Sequence, residues 1–443
     1  MEALIMIGQT LLGLSIIITL HEFGHYAAAR AFGMRVEKFY LFFDVNNIKL
    51  FSFTKGGTEY GIGWLPLGGY VKVSGIVDES MDKEHLKNEP KSYEYRSKPA
   101  WQRLIFMSAG VILNIILGIL IFSVMTMVRG ESYVPASEIK NGIVVGELGK
   151  EIGLQTGDVV TEVNGKAPQK FSDIFDRAFL LREGSTITVE RDGAEKTFEI
   201  PKGFINKLAE TGVDDFIQPV PRFEYKVDQV MGQSAAAEAG LASGDKILEV
   251  EGKSTRYFNE LQEVLQSHAG EEVSMLVVGE DGQERNLTAN VGEDGRLGFY
   301  PKSLLQYETQ KHGVFKSFAV GANKAWDTLS ETLVGLGKIF TGEVDADKSV
   351  QGPISIAKNI YGGQWDWVRF WTITALLSLV VGLMNILPIP ALDGGHVMFL
   401  LIEMIIGRPL NEKVMMAFQS LGIILLIMLM VFVIFNDIVK NFF

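Results

Sequence analysis

Two histidines four residues apart, with a glutamate beside the first, form the motif His-Glu-Phe-Gly-His at residues 21–25. On a helix, positions i and i+4 share one face. Two imidazoles on that face can bind one Zn²⁺, and the glutamate can act on a metal-bound water. The motif therefore predicts that His21 and His25 are zinc ligands and that Glu22 is a general base. The alternative interpretation is a polar cap at the membrane surface.

Catalytic zinc sites have three protein ligands, so one more side chain is required. A candidate segment, Asn385-Ile-Leu-Pro-Ile-Pro-Ala-Leu-Asp-Gly-Gly-His396, lies far along the chain. Pro388 and Pro390 must interrupt a helix there, and broken backbone at membrane depth is tolerated where it is buried or lines a cavity. Asp393 is the favoured third ligand and His396 the alternative. Asp393 could instead cap the helix that follows.

Long runs without a charged residue indicate a membrane protein. They occupy residues 3–20, 104–128, 370–392 and 414–436. A helix of about 20 apolar residues crosses the hydrocarbon core of a bilayer. The predicted fold is therefore a polytopic α-helical membrane protein with about four spans. The apolar stretch 394–407 is too short to span and contains Glu403, which indicates a buried or interfacial segment.

Positive charge at the ends of the spans predicts their direction. Basic residues follow the first span, beginning at Arg30, and Arg96 and Arg103 precede the second. Lys and Arg near span ends favour the cytoplasm. Spans 1 and 3 then both run from outside to inside, which brings His21 and Asp393 to a similar depth near the cytoplasmic side. The start of the chain lacks a basic segment and a cleavage site, so we expect the first span to be retained.

The region between spans 2 and 3 is acidic and contains an internal repeat. Residues 131–300 hold 31 acidic and 17 basic residues, a net charge of −14. Residues 153–165 match residues 240–252 at an offset of 87. A repeat of this length indicates two copies of a small domain, and the copies resemble circularly permuted PDZ domains. The chain lacks the basic stripe of a nucleic-acid-binding protein, and without cysteine it cannot form thiolate sites.

Two further segments have recognisable patterns. Residues 39–76 are rich in β-branched and aromatic residues with glycine between them, which predicts strands. Gly61 and Gly63 would let another backbone approach, so we expect a strand edge at 59–63 that pairs with an unwound substrate, an ordinary hairpin being the alternative. Residues 314–340 have helical apolar spacing. They predict an amphipathic helix, either on the membrane surface or against the repeated domains.

These patterns divide the chain into eight regions. In order they are a first transmembrane helix, a membrane-associated β-loop with a cytoplasmic segment, a second transmembrane helix, two PDZ domains, a surface-helix region, a third transmembrane helix with the segment after it, and a fourth transmembrane helix. The predicted boundaries are 1–38, 39–99, 100–130, 131–220, 221–303, 304–365, 366–413 and 414–443.

The combination of HExxH in the first span, NxxPxPxLDGG in the third and PDZ-like domains between spans 2 and 3 resembles the site-2 protease family over essentially the whole chain. The resemblance implies an intramembrane zinc protease with two periplasmic PDZ domains. His21, His25 and Asp393 match the zinc ligands of the family, and Glu22 its catalytic base. Gly61, Ile62 and Gly63 match its membrane-associated β-loop, and Asn385 a residue linked to substrate handling.

The resemblance also implies partners and a location. The substrates would be single-span membrane proteins that another protease has already trimmed, such as an anti-sigma factor in an envelope stress response, and remnant signal peptides. The enzyme would lie in the bacterial inner membrane with its active site toward the cytoplasm. A PDZ-bearing membrane scaffold or chaperone with a structural metal site is the alternative, and it would leave Glu22 without a role.

Overall fold

The structure is a computed structural model of the 443-residue chain. It describes residues 2–66, 68–76, 89–175, 184–232, 234–342, 352–362, 365–408 and 412–442. The longest segments outside the described residues are 77–88, 176–183 and 343–351, which belong to the predicted β-loop region, the first predicted PDZ domain and the predicted surface-helix region. The chain divides into two compact units, one formed by Met1–Gly130 with Lys311–Phe443 and the other by Glu131–Gln310.

The helices and strands are numbered in chain order. The helices are α1 (Glu2–Ala31), α2 (Ala100–Arg129), α3 (Glu147–Glu151), α4 (Phe204–Thr211), α5 (Ala235–Glu238), α6 (Phe258–Ser267), α7 (Val314–Thr341), α8 (Pro353–Ser355), α9 (Trp367–Ile386), α10 (Asp393–Ile406) and α11 (Glu412–Phe442). The strands are β1 (Val36–Leu41), β2 (Lys49–Lys55), β3 (Thr58–Gly63), β4 (Tyr70–Val73), β5 (Glu131–Tyr133), β6 (Val159–Val163), β7 (Thr186–Arg191), β8 (Ala194–Glu199), β9 (Tyr225–Val230), β10 (Lys246–Val250), β11 (Lys253–Ser254), β12 (Glu272–Val278), β13 (Glu284–Asn290), β14 (Phe299–Ser303) and β15 (Glu308–Gln310).

Four helices in the first unit are long and apolar enough to cross a membrane. They are α1, α2, α9 and the Ala417–Val439 part of α11. This confirms the prediction of a polytopic helical membrane protein. A helix suits a lipid environment because it satisfies its own backbone hydrogen bonds.

Glycines allow these helices to approach closely. A Cβ atom at Gly24 of α1 would lie 2.4 Å from the carbonyl oxygen of Ala109 on α2. One at Gly118 of α2 would lie 2.5 Å from the side chain of Leu379 on α9. Small residues at helix interfaces let backbones approach in lipid, where packing replaces the hydrophobic effect as the driving force. Helix α2 is therefore the central helix against which α1 and α9 pack.

The predicted helix break after span 3 is confirmed. Helix α9 ends at Ile386, the two prolines follow, and Ala391 has a positive φ of 74°. Helix α10 begins at Asp393, and a Cβ at Gly394 would lie 2.0 Å from the carbonyl oxygen of Leu387. Glycine is therefore required for this turn. The N-cap position belongs to Leu392, so Asp393 is the first helical residue rather than the cap.

The β-rich segment forms one sheet with the strand order β2-β3-β1-β4. Strand β3 pairs with β2 on one side and with β1 on the other. The prediction that residues 59–63 form a sheet edge is therefore wrong. Gly61 and Gly63 serve the sheet itself, since a Cβ would lie 2.5 Å from the Tyr40 ring at Gly61 and 2.2 Å from the Phe43 carbonyl oxygen at Gly63.

Helix α7 confirms the helix predicted from residues 314–340. It lies against α2 and α9, and its Ala325 is buried in a cluster with Ile121 and Phe122 of α2 and Leu379 of α9. A Cβ at Gly321 would lie 2.6 Å from the backbone nitrogen of Ser123 on α2. Apolar side chains on the other faces are exposed, with Phe315 93% and Trp326 63% accessible. Apolar spacing located the helix, whereas the steric need for small residues selected the face that packs.

The unit Glu131–Gln310 contains two hydrophobic cores, one within residues 139–217 and one within residues 225–297. Sheets β6-β7-β8 and β11-β10-β12-β13 cover them. Each core has an ion pair between a buried aspartate and an arginine at the same place. Asp158 binds Arg191 at 2.6 Å, and Asp245, its counterpart in the sequence repeat, binds Arg285. The repeated Gly-Asp turn thus has one structural role in both copies. The individual domain boundaries stay predictions.

Candidate metal centre

Three side chains from α1 and α10 converge between the helices. Asp393 Oδ2 lies 3.1 Å from His21 Nε2 and 3.3 Å from His25 Nε2. The two Nε2 atoms are 3.3 Å apart. Both histidines are buried, with 9% and 6% of their surfaces exposed. The structure therefore brings together the three residues that the sequence motifs singled out, although 368 positions separate His25 from Asp393.

The spacing of these atoms fits a zinc ion. Ligands about 2.0–2.1 Å from zinc at tetrahedral corners lie about 3.3 Å from one another. The three measured separations, 3.1, 3.3 and 3.3 Å, have this size. The donor set of two imidazoles and one carboxylate leaves one tetrahedral position for water or substrate, as in other catalytic zinc sites.

Helix α2 holds His25 from the opposite side. The Nδ1 atom of His25 lies 2.9 Å from the carbonyl oxygen of Phe106. A carbonyl accepts only, so Nδ1 must carry the hydrogen and donate it. This leaves the lone pair on Nε2 directed at the cluster, which is the arrangement that metal-binding histidines use.

Gly110 of α2 lies against both imidazoles, and sequence reasoning did not single it out. A Cβ there would lie 2.5 Å from His25 Nε2 and 2.7 Å from His21 Cε1. Only glycine leaves space for both imidazoles at this point of the helix interface. The signal in the sequence was a glycine in an otherwise apolar span, which is too common to identify a site.

Glu22 follows His21 on α1 and lies near the loop that leads into β4. Its side chain is half-buried, whereas the histidines beside it are buried. A Cβ at Gly69 would lie 3.2 Å from Glu22 Cγ. The residue just before β4 therefore contacts the carboxylate-bearing side chain, and the lack of a side chain at Gly69 keeps that space open.

Polar contacts attach the sheet to α1 just after the motif. Tyr26 and Tyr60 are joined through their hydroxyl groups at 2.8 Å, and Arg30 donates to Thr58 Oγ1 at 2.9 Å. Within the sheet, hydrogen bonds from Lys49 and then Tyr40 hold the pKa of the Glu59 carboxyl below its usual range. Glu59 therefore stays ionised and joins β1, β2 and β3 at neutral pH.

Asn385 and His396 lie near the helix break with different surroundings. Asn385 is in the last turn of α9, half-buried, and its amide has no hydrogen-bond partner among the described residues. His396 Nε2 lies 2.5 Å from the amide nitrogen of Gln419 on α11. Within the described part of the chain, the cluster that could hold a metal ion is His21, His25 and Asp393. His396 is therefore not the third member.

A glutamate beside two histidines and an aspartate, all placed among membrane-length helices, defines the class of zinc metalloproteases that work within the membrane. The comparison with known families agrees. The chain belongs to peptidase family M50, the site-2 protease family, whose model matches residues 9–429.

Several known proteins are similar to this chain along nearly their whole length. "Regulator of sigma-E protease RseP" of Escherichia coli strain K12 is 30% identical over 450 residues, which cover 96% of this chain and 97% of that protein. "Regulator of sigma E protease" of Haemophilus influenzae is 29% identical and covers 98% of both chains. A Vibrio cholerae protein with "zinc metalloprotease" in its name is 28% identical, covering 96% and 97%.

Family membership confirms several predictions made from the motifs. The resemblance to site-2 proteases, the activity of a zinc-dependent membrane metalloprotease and the zinc cofactor are all confirmed. The scaffold alternative, which lacks an enzymatic role, is therefore wrong. The roles of individual residues stay predictions, now supported by their geometry.

The first expected outcome concerns Gly110. We expect Gly110→Ala to lower zinc affinity at least about 10-fold, the range found when the surroundings of metal ligands are disturbed, because the added methyl displaces both imidazoles. Zinc content after dialysis against a chelator measures this. Gly8→Ala on α1 is the control, since a Cβ there has no atom within 4 Å. Full zinc retention by Gly110→Ala would show that the rings do not need this space.

Proposed function

We propose that His21, His25 and Asp393 hold the catalytic zinc and that Glu22 is the general base of an intramembrane endopeptidase. The substrates are transmembrane segments of single-span membrane proteins that have already been trimmed outside the membrane. The convergence of three ligand atoms at tetrahedral spacing, next to a half-buried glutamate, is the observation that carries this proposal.

The side chains of the chain have distinct tasks in peptide hydrolysis. Zinc, when bound, supplies a Lewis acid that lowers the pKa of water to about 7 and polarises the peptide carbonyl. Glu22 accepts the proton of the attacking water and then delivers it to the leaving nitrogen. The amide of Asn385 donates to the substrate backbone or to the developing oxyanion. The buried ligands keep their orientation because α2 packs against them.

A substrate helix must unwind before its peptide bond can reach the site. An unsatisfied backbone group in lipid costs several kcal/mol, and pairing with a sheet edge offsets that cost. Strand β3 is paired on both sides, whereas β4 is one of the two outer strands of the sheet and follows Gly69, next to Glu22. We therefore assign substrate pairing to β4. Gly61, Ile62 and Gly63 then support this strand through β1 instead of binding substrate themselves.

The sheet has the surface of a membrane-associated element. Leu50, Phe51 and Phe53 on β2 are 68%, 58% and 49% exposed. Exposed apolar side chains close together mark contact with lipid or another protein. Their position on the strand opposite β4 supports the predicted membrane-associated β-loop, with one edge toward lipid and the other toward the catalytic residues.

The orientation of the chain in the membrane and the selection of its substrates are the last two parts of the proposed function. Basic residues after α1 and before α2 support a cytoplasmic position for the motif end of α1 in a bacterial inner membrane. In this orientation the unit Glu131–Gln310 is periplasmic. The two lobes of this unit act as PDZ domains that reject substrates with bulky outer domains. An anti-sigma factor trimmed by a first protease fits this requirement, as do remnant signal peptides, and the name of the Escherichia coli relative refers to sigma-E regulation.

The second expected outcome tests the base. Glu22→Gln removes the proton acceptor but keeps the size of the side chain, so cleavage of a trimmed single-span substrate in liposomes should fall at least about 100-fold. Bound zinc should be unchanged, because Glu22 is not one of the three ligands. Glu2→Gln, on the exposed start of the same helix, is the control. Equal cleavage by Glu22→Gln and wild type would overturn the assignment of Glu22.

The third expected outcome identifies the pairing strand. The chain lacks cysteine, so single cysteines can be introduced without a background. In the Glu22→Gln protein, Lys72→Cys on β4 should form disulfides with cysteines placed near the scissile bond of the substrate. Ser52→Cys on β2, exposed on the opposite outer strand, is the comparison. Crosslinking from Ser52→Cys in place of Lys72→Cys would assign substrate pairing to β2.

The fourth expected outcome concerns substrate selection. Gln310 pairs with Glu131 in the β5–β15 ladder, and paired residues in antiparallel strands have Cα atoms about 5 Å apart. Residues 131–310 can therefore be replaced by a short Gly-Ser linker. We expect the shortened enzyme to cleave untrimmed substrates at a rate near that for trimmed ones. If the shortened enzyme cleaved trimmed substrates and still rejected untrimmed ones, the proposal that residues 131–310 exclude bulky substrates would be refuted.

A further inference from the structure

A buried asparagine on α2 lies against the first histidine of the motif. Asn114 is fully buried, and its Nδ2 atom is 3.4 Å from His21 Nδ1. Its Oδ1 atom is also buried and has no hydrogen-bond partner among the described residues. A buried polar atom without a partner destabilises the folded protein. Such an amide in a membrane-spanning helix needs a reason.

The position of the ring hydrogen in a metal-binding histidine explains why an amide is needed here. His21 directs Nε2 at Asp393 and His25, so in a ligating ring the hydrogen resides on Nδ1. A ring N–H and an amide NH₂ group are both donors and cannot bond to each other. Rotation of the amide by half a turn exchanges two groups of similar shape. The oxygen then accepts from His21 Nδ1–H, and its lack of a partner disappears.

Helix α2 offers a hydrogen-bond acceptor to each of the two histidines. The backbone carbonyl of Phe106 accepts from His25 Nδ1, two turns before Asn114. At Asn114 the backbone carbonyl accepts from Ser378 Oγ of α9 at 2.8 Å. The backbone carbonyl of Asn114 is thus bonded to α9, and the side-chain oxygen of Asn114 is the acceptor that remains for His21. The contact with α9 also holds this turn of α2 in place.

We propose that Asn114 is a positioning residue that accepts a hydrogen bond from His21 Nδ1–H and so holds the ring with Nε2 toward zinc. The inference rests on the proposed role of His21 as a zinc ligand. It assigns to α2 a polar function in the site, in addition to the space that Gly110 provides. Asn114 acts through His21 and does not touch the substrate.

Zinc affinity of the full-length protein in detergent tests the inference. Asn114→Leu keeps most of the volume but removes the acceptor, and we expect zinc affinity, measured by competition with a chelator, to fall about 10–100-fold. Asn114→Asp keeps an acceptor and should bind zinc within about threefold of wild type. The visible absorption spectrum of the Co²⁺-loaded protein should change in Asn114→Leu, because the ring is free to reorient. Thr374→Val on α9, also buried and of similar size, is the control.

The outcomes separate this inference from the function on which it rests. Wild-type zinc affinity in Asn114→Leu, or equal losses in Asn114→Leu and Asn114→Asp, would overturn the hydrogen bond and indicate a packing role. Should Asn114→Leu not fold, as judged by thermal unfolding of the zinc-free protein, Asn114→Ala is interpreted in the same way. His21→Ala is measured in parallel. Zinc retention in that variant would overturn the ligand assignment itself, whereas zinc loss there with full affinity in Asn114→Leu would refute the role of Asn114 alone.

Discussion

The close approach of α1 and α2 is the constraint on which the rest of the structure depends. The site places two imidazoles and a carboxylate among helices that face lipid, where polar groups need partners nearby. Gly24 and Gly110 let the two backbones meet at the level of the histidines. This contact brings the Phe106 carbonyl within reach of His25. A larger residue at either glycine would separate the helices and remove both the space for the rings and the groups that orient them.

The chemistry also depends on irregular backbone at two places near the helix ends. The break between α9 and α10 changes the direction of the chain, so that Asp393 lies close to α1. Gly394 makes this turn sterically possible. The loop before β4 brings Gly69 against Glu22. Helices α1 and α10 thus hold His21, His25 and Asp393, while the sheet ends beside Glu22.

The spacing of residues along the chain predicted which side chains form the site. It did not predict which strand lies at the edge of the sheet or which face of a helix is packed. The i, i+4 histidines and the proline-broken segment were identifiable because each pattern is compatible with few local structures. The sheet edge was placed at residues 59–63 because glycine indicates close approach, but the glycines accommodate Tyr40 and Phe43 inside the sheet. On α7, apolar spacing located the helix but not the packed face, because the close approach of Ser123 on α2 leaves no room for a side chain at Gly321.

The sequence by itself determined that this is a membrane protein with four spans, a two-histidine motif in the first and a carboxylate at a helix break after the third. These features follow from hydropathy, helical period and the geometry of proline, all of which act over a few residues. Only the tertiary structure decided that Asp393 rather than His396 joins the histidines, that β4 is an outer strand, and that Gly110 and Asn114 of α2 surround the rings. Those choices depend on distances between helices far apart in the chain, and helix period and hydropathy do not encode such distances.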